Sequence, residues 1–184
     1  METIRVVTWI DAPVERCFQL ALSIDLLVAA AKRSKEKAVA GVTTGLIGEG
    51  QTVMWSGHHF GRRFTHTSRI VGWRAPAYFR DVMIKGAFRY FEHDHHFATM
   101  DDGTRMRDEV RFSAPLGPLG RLAEKTFLRR HLLTFLAERN AMIKRVAESE
   151  EWRKYVEEMP VKDSVALTGE RVVGRWDESA LLRS

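Results

Sequence analysis

The strongest constraint on the fold of this chain is a change in the periodicity of its apolar residues. Between residues 36 and 112, six segments alternate apolar and polar side chains, and turns rich in glycine, proline or aspartate separate them. Strands joined by short turns form an antiparallel sheet, one face of which must be covered. Beyond residue 119 the apolar residues recur at the spacing of an α-helix. The pattern therefore predicts a curved antiparallel sheet that wraps one long helix.

The segment before residue 36 predicts a first strand and two short helices. TIRVVTWI is rich in β-branched residues, which favours a strand. Asp11 and Pro13 are typical of a helix start, and Ser23 is a suitable N-cap for the second helix. Cys17 is the sole cysteine and lies on the apolar face of the first helix, where we expect a buried thiol. We therefore predict an α+β fold with about seven strands.

The long helix is predicted to run from the 120s to about Glu158. It has an apolar face of five residues, spaced four, three, seven and four apart: Leu128, Leu132, Phe135, Met142 and Val146. Residues 159–184 mix polar and apolar side chains without a sustained period. We therefore expect one domain over residues 1–158 and a C-terminal extension over 159–184 that is partly ordered or packs on a neighbour.

The formal charge of +5 originates in one segment. Residues 119–145 hold seven lysines and arginines against two acidic residues, which accounts for the whole excess. A basic stretch of this kind can meet an anionic ligand, a membrane surface or nucleic acid, but helices also commonly carry charge opposite their apolar face. We favour the solvated helix face, expect no nucleic-acid partner, and keep a weak contact with anionic membranes as an alternative.

The expected location is the cytoplasm. The N-terminus has no apolar segment of signal-peptide length, and the longest apolar run, LLVAAA, is too short to span a bilayer. A single cysteine also excludes an internal disulfide, which fits a reducing compartment.

The stretch FEHDHHF, residues 91–97, is the strongest candidate for a functional site. Alternate residues of a strand share a face, so Phe91, His93, His95 and Phe97 are predicted to point into the interior. The next strand places Asp108 on the same face, as the one charged residue among mostly apolar side chains. An unpaired buried carboxylate is costly, so we expect Asp108 to pair with one of the two histidines.

The turn between the two strands decides which histidine lies opposite Asp108. A two-residue turn at Asp101 and Asp102 places His95 directly across from it, whereas a turn at Met100 and Asp101 places His93 there. In either register the other histidine is a diagonal neighbour. The sequence leaves both registers open.

Three roles are open to this cluster. It can be a satisfied polar group in a cavity wall, it can orient a ligand or transfer protons, or it can bind a metal ion. Two histidines and one acid can form a facial triad, but the flat face of a hairpin constrains the angles. We therefore expect no metal and no cofactor, with His93, His95 and Asp108 as candidate catalytic residues.

Three further residues carry chemistry that the strand and helix patterns leave undecided. His66 shares a face with Phe64 and is expected to look inward. Asp81 either adds an interior polar group or forms a salt bridge on the outer face. Arg139 interrupts the apolar face of the long helix, so it either snorkels to the edge or reaches into the cavity to bind a carboxylate or enolate.

Three segments resemble the SRPBCC superfamily, also called START-like or helix-grip. They are APVERCFQLALSIDLL, HDHHF with DDGTRMRDEVRF, and APLGPLGRLAEKTFLRRHLLTFLAERNAMIKR; the last two are similar to bacterial polyketide cyclase/dehydrase-like members. Cys17 stands where the family usually has valine. The resemblance covers about residues 2–155 and implies a helix-grip fold without a metal. Members include carriers of hydrophobic ligands, cyclases, aromatases, hydrolases and regulatory subunits, so the fold leaves the chemistry open.

The function we expect is binding of a hydrophobic or aromatic small molecule, lipid-like or polyketide-like, in a cavity between sheet and helix. One alternative is an enzyme of the cyclase, aromatase or dehydratase type that uses cavity histidine and aspartate for proton transfer. Another is a lipid carrier or membrane-surface partner that uses the basic stretch. The expected ligand-binding residues are Trp55, Phe64, His66, Phe91, His93, His95, Phe97, Met106, Asp108, Phe112, Phe135 and Arg139.

Overall fold

The computed structural model describes residues 1–31, 35–59, 61–115, 117, 120 and 124–156. Within these residues seven strands form one antiparallel sheet. In chain order the strands are β1 (Glu2–Ile10), β2 (Lys37–Gly41), β3 (Thr52–His59), β4 (Arg62–Arg74), β5 (Tyr78–Lys85), β6 (Tyr90–Met100) and β7 (Gly103–Ser113).

The sheet order is β1-β7-β6-β5-β4-β3-β2. Each strand from β2 to β6 therefore lies beside the next one in sequence, and β1 completes the sheet by pairing with β7. The predicted fold class, a curved antiparallel sheet with a long C-terminal helix and two short helices after the first strand, is confirmed.

The two short helices are α1 (Val14–Leu22) and α2 (Ile24–Ala30), and the long helix is α3 (Arg129–Ala147), preceded by a π-helical turn (Glu124–Leu128). The Ser23 side chain accepts a hydrogen bond from the Leu26 N–H, as expected of an N-cap. Helix α3 packs against β1, α1 and α2.

The C-terminal end of the long helix differs from the prediction. Helix α3 ends at Ala147, and a separate 3-10 turn follows over Glu150–Lys154. The Ser149 hydroxyl accepts a hydrogen bond from the Glu151 N–H, which starts the new turn and stops the old one. The predicted extension 159–184 lies outside the described residues.

The core has two parts, one of which is centred on Phe18. The Phe18 ring meets Trp73, Phe79 and Phe97 edge-to-face, with ring centroids 5.3–5.6 Å apart. Cys17 is fully buried beside it, as predicted. The second part joins the other end of the sheet to the helix through Ile4, Val110, Phe112 and Leu136.

The face of α3 that is most deeply buried is not the predicted one. Val146 is buried as expected, but Phe135 and Met142 are only partly buried. The most buried residues of the helix are Leu136, Asn140, Ile143, Val146 and Ala147. The buried face is therefore turned by about one residue, and it brings a polar side chain, Asn140, into the interior.

The outer face of the sheet carries an ion cluster around Asp94, which points away from the helix. Asp94 accepts hydrogen bonds from Arg80, Arg111 and Tyr78 at 2.6–3.2 Å. These donors hold the pKa of Asp94 below its usual value, although partial burial acts in the opposite direction. No helix among the described residues combines the length and the apolar character needed to cross a bilayer.

Candidate functional site

A cavity of about 910 Å³ lies between the inner face of the sheet and helices α2 and α3. Its wall is mostly apolar and includes seven of the twelve residues expected from the sequence: Trp55, Phe64, His66, Phe91, His93, Phe135 and Arg139. Asp81, Phe79 and Phe88 add to the wall. Asp81 therefore points inward, which decides between the two positions that the sequence left open.

The other five expected residues lie behind the cavity wall. Phe97 packs on Phe18, Met106 is buried in the same part of the core, and Phe112 packs on Phe88. His95 and Asp108 are both only 1% exposed and do not reach the cavity surface. Strand alternation placed all five on the inner face, but neighbouring helices and strands cover them there.

Strand register brings four polar side chains of the inner face together. Residues 100 and 103 are paired, so the turn is at Asp101 and Asp102, and His95 lies directly opposite Asp108. On the other side of β6, His93 lies opposite Asp81 of β5. His93 and His95 therefore each lie opposite an acidic residue on a neighbouring strand.

Both histidines contact Asp108, which confirms the expected pairing. His93 Nε2 donates to Asp108 Oδ1 at 2.9 Å, because an ionised carboxylate only accepts. His95 Nδ1 lies 2.9 Å from the same oxygen, at an angle poor for a hydrogen bond. The two imidazole rings lie 3.7 Å apart between their centroids. Asp108 therefore orients both rings from one side.

Asp81 lies near the opposite edges of the same rings. Its Oδ2 atom is 3.0 Å from His95 Nε2 and 3.7 Å from His93 Nδ1. The His95 ring is also stacked on Phe79, with ring centroids 4.0 Å apart, which fixes its plane. The two carboxylates thus hold the two imidazoles between them, with Asp81 and His93 on the cavity side.

Asn140 of α3 completes the cluster. Its Nδ2 atom donates to Asp108 Oδ2 at 2.7 Å and lies 3.2 Å from the Thr8 hydroxyl oxygen. Asp108 therefore has partners on both oxygens, although it is fully buried. Asn140 was not among the residues expected from the sequence. The available signal was its spacing, since Asn140 lies four residues after Leu136 and three before Ile143, which are both buried.

Burial and hydrogen bonding act in opposite directions on the acidic members of the cluster. Burial raises the pKa of Asp108, but the hydrogen bond from His93 and the close contact with His95 outweigh burial and hold that pKa well below its usual value. Burial also raises the pKa of Asp81. The two histidines and the positive charge of Arg139 outweigh this effect, so the pKa of Asp81 falls to about 2. Both residues are therefore carboxylates at neutral pH.

Burial dominates the titration of His93. It lowers the pKa of His93 to about 4, with a further lowering from the neighbouring His95 and an opposing effect of the two carboxylates. His93 is therefore neutral at physiological pH. Since its Nε2 carries the proton toward Asp108, the Nδ1 lone pair faces Asp81.

Arg139 lies in the cavity wall, but its guanidinium is partly used by the protein. Its Nη2 atom donates to the Ala21 carbonyl at 3.3 Å, whereas Nε is buried without a protein partner. Its positive charge also lowers the pKa of Asp81. The guanidinium of Arg139 is thus held by the Ala21 carbonyl and also faces the polar part of the cavity.

Three other cations of the basic stretch 119–145 have partners within the chain. Arg145 pairs with Glu151 at 2.8 Å, and Lys144 with both Glu148 and the Trp9 carbonyl. Arg129 donates to the Thr3 carbonyl at 3.0 Å. The side chains of residues 121 and 125 lie outside the described part. Arg129, Lys144 and Arg145 therefore each have a partner within the described part of the chain.

By sequence, the chain matches no protein-family model and no curated protein. By structure it is similar to TTHA0849 from Thermus thermophilus, with a TM-score of 0.63 at 18% identity over 79% of this chain and 99% of that one. Major latex-like protein 151 from Panax ginseng gives 0.60 at 12% identity, covering 80% and 98%.

A third similar structure is protein Ms6760 from Mycobacterium smegmatis, with a TM-score of 0.59 at 16% identity, covering 78% of this chain and 89% of the other. Such similarity between distant sequences shows a shared fold. The chain therefore has the helix-grip architecture of Bet v 1-like structures, among them the ginseng major latex-like protein.

Proposed function

We propose that the protein binds a hydrophobic or aromatic small molecule, lipid-like or polyketide-like, in the cavity between its sheet and α3. The observation that carries the proposal is the cavity itself. Its volume of about 910 Å³ falls in the range of ligand pockets, and aromatic and aliphatic side chains make up most of its wall. A few convergent polar groups in an apolar pocket are typical of sites that orient a ligand.

The polar groups of the cavity lie on one side, where Asp81, His93 and Arg139 meet. An apolar ligand with one oxygen-bearing end would place that end there and its body against the aromatic wall. We also propose that the chain is a member of the SRPBCC superfamily related to its polyketide cyclase/dehydrase-like proteins. The helix-grip fold and the sequence motifs of β6, β7 and α3 support this proposal.

A direct test fills the cavity. Leu132 lies on α3 in the cavity wall, so Leu132→Trp should remove space that a ligand needs. We expect it to weaken binding of a hydrophobic fluorescent probe such as 1-anilinonaphthalene-8-sulfonate by about 10-fold or more, because lost apolar contact area lowers affinity. Val71→Trp is the matched control, since Val71 is exposed on the outer face of β4.

Equal loss of binding in both variants, or in neither, would contradict a ligand site in this cavity. Organic extraction of the purified protein followed by mass spectrometry identifies what it carries from the cell. A recovered apolar compound that Leu132→Trp no longer retains would link the natural ligand to the same site.

Arg139 provides a test of ligand orientation. A hydrogen bond to a charged acceptor contributes about 1.5–3 kcal/mol, so Arg139→Met should weaken binding of dodecanoate by about 10- to 100-fold. Binding of dodecanol should change little, because the alcohol is neutral. Arg145→Met on the same helix is the control, as Arg145 pairs with Glu151 away from the cavity wall. Unchanged dodecanoate affinity in Arg139→Met would reject the role.

The second candidate is an enzyme of the cyclase, aromatase or dehydratase type. It is favoured by the position of His93 and Asp81, which place reactive polar groups in an otherwise apolar wall. Incubation of a linear poly-β-ketone analogue with the protein, followed by mass spectrometry and ultraviolet absorption, tests it. Conversion that is lost in His93→Gln while binding persists would support catalysis, and an unchanged analogue would contradict it.

A further inference from the structure

We propose that Asp81, His93 and His95 bind a divalent first-row transition-metal ion of the Zn²⁺ type at the polar wall of the cavity. One ligand atom from each of the three residues lies within 4.8 Å of the other two. The nitrogens that face Asp81 Oδ2 are His95 Nε2 and His93 Nδ1. Two imidazole nitrogens and one carboxylate oxygen are a donor set that Zn²⁺ and Fe²⁺ accept.

The distances between these atoms are close to those of a metal site. Ligand atoms about 2.1 Å from a tetrahedral ion lie about 3.4 Å from one another. Asp81 Oδ2 is 3.0 Å from His95 Nε2 and 3.7 Å from His93 Nδ1, so both values bracket the ideal spacing. The two distances from Asp81 are therefore compatible with a shared ion.

The second ring nitrogen of each proposed histidine ligand also lies where a metal site needs it. Imidazoles that bind metals almost always present their other nitrogen to a carboxylate or carbonyl, which fixes the ring and its tautomer. Here the other nitrogens, His93 Nε2 and His95 Nδ1, each lie 2.9 Å from Asp108 Oδ1. Asn140 in turn donates to Asp108 Oδ2. Asp108 and Asn140 are therefore positioning residues for the site.

The charges around His95 also favour a bound cation. Each nitrogen of His95 is within 3.0 Å of a carboxylate oxygen, and a neutral ring has only one N–H. A neutral His95 would thus direct a lone pair at an anion. A divalent ion between Asp81 and the histidines removes that conflict and also balances the negative charges of Asp81 and the buried Asp108.

The position of the site would also connect it with the cavity. Asp81 and His93 line the cavity, and His95 is held behind them by its stacking on Phe79. An ion held by these three residues would have its remaining coordination positions on the cavity side. A ligand oxygen that enters the cavity could then complete the coordination.

The test is a metal titration of the full chain, purified without a histidine tag and freed of metal with EDTA. We expect one Zn²⁺ per chain by calorimetry, and one Co²⁺ per chain with the visible absorption of nitrogen and oxygen ligands, which Zn²⁺ abolishes by displacement. Zn²⁺ should also raise the thermal unfolding midpoint, because an ion that binds only the folded chain stabilises it. These measurements use the unaltered chain, so they do not depend on any variant folding.

Variants then locate the ion. Asp81→Asn and His93→Gln should each weaken Zn²⁺ binding by about 100-fold or more, and Asp108→Asn by about 10- to 100-fold, as is usual when a group that orients a ligand is altered. His66→Gln is the matched control, since His66 is another histidine of the same cavity wall. Far-UV circular dichroism in EDTA checks that each variant is folded.

Two results would overturn the proposal. The first is the absence of stoichiometric Zn²⁺ and Co²⁺ binding by the folded chain. The second is binding that survives in folded Asp81→Asn and His93→Gln, or that is lost in His66→Gln. The titrations contain no organic ligand, so their failure is distinguishable from a failure of small-molecule binding.

Discussion

Replacement of Asn140 by aspartate tests the buried cluster most sharply. The two side chains have the same shape, so Asn140→Asp leaves no cavity and exchanges only a donor for an acceptor. In the wild type Nδ2 donates to Asp108 Oδ2 at 2.7 Å, and Asn140 is 2% exposed. The variant therefore places a second carboxyl group directly against a buried carboxylate.

The introduced carboxyl group can be ionised or protonated in the folded variant, and the state of lower free energy sets the loss of stability. Two charges 2.7 Å apart repel by about 6 kcal/mol at an effective dielectric of about 20. Protonation of the introduced carboxyl, with an ordinary pKa of about 3.9, costs about 4 kcal/mol at pH 7. The protonated group can then donate to Asp108 as the amide did. We therefore expect protonation to prevail and Asn140→Asp to lose about 4 kcal/mol of unfolding free energy at pH 7.

The pH dependence distinguishes this cause from others. The introduced carboxyl has a raised pKa in the folded state, so the folded variant binds a proton that the unfolded chain releases, and its stability falls as the pH rises. At pH 5 the loss relative to the wild type should shrink to about 1.5 kcal/mol. Asn140→Ala, the control, removes the donor without adding an acid and should cost about 2 kcal/mol at both pH values.

The assay is urea unfolding followed by circular dichroism in EDTA at pH 7 and pH 5, with each variant compared with the wild type at the same pH. The reasoning fails if Asn140→Asp costs the same at both pH values. It also fails if, at pH 7, Asn140→Asp is less destabilising than Asn140→Ala. Either result would mean that residue 140 does not face the Asp108 carboxylate.

Two further predictions concern the core. Cys17 is fully buried and burial raises the pKa of its thiol, so we expect 5,5′-dithiobis(2-nitrobenzoate) to react about 100-fold more slowly with the native than with the urea-unfolded chain; equal rates would show that the thiol is accessible. Ile143 is 1% exposed, so Ile143→Ala should lower the unfolding free energy by about 2–5 kcal/mol in urea denaturation. Ile84→Ala, at a position 49% exposed, should change it by no more than about 0.5 kcal/mol, and similar losses in both would contradict the assignment of the core.

The order of the elements could be predicted because it is a local property of the sequence. Alternation between residues 36 and 112 reports which side chains share a face, and short turns make neighbours of consecutive strands. The position of Cys17 in the core and the N-cap at Ser23 are local in the same sense. The predicted end of α3 was wrong because the helix propensities of Glu148 and Ser149 do not exclude a helix. The helix ends there because the Ser149 side chain accepts a hydrogen bond that starts a separate turn.

Alternation also correctly placed His93, His95 and Asp108 on one face, but could not say what covers each residue. Phe97 and Phe112 share that face with the cavity residues and are nevertheless core, because Phe18 and Phe88 pack over them. Whether an inward side chain meets solvent or another side chain depends on elements distant in sequence.

The composition of the polar cluster is therefore a tertiary property. The sequence determined that two histidines and one acid would share the inner face of a hairpin. Only the folded sheet placed Asp81 of β5 opposite His93, and only the rotation of α3 brought Asn140 to Asp108. The physical reason is that strand register and helix rotation are set by the packing of the whole core, whereas residue periodicity carries no information about distances between elements.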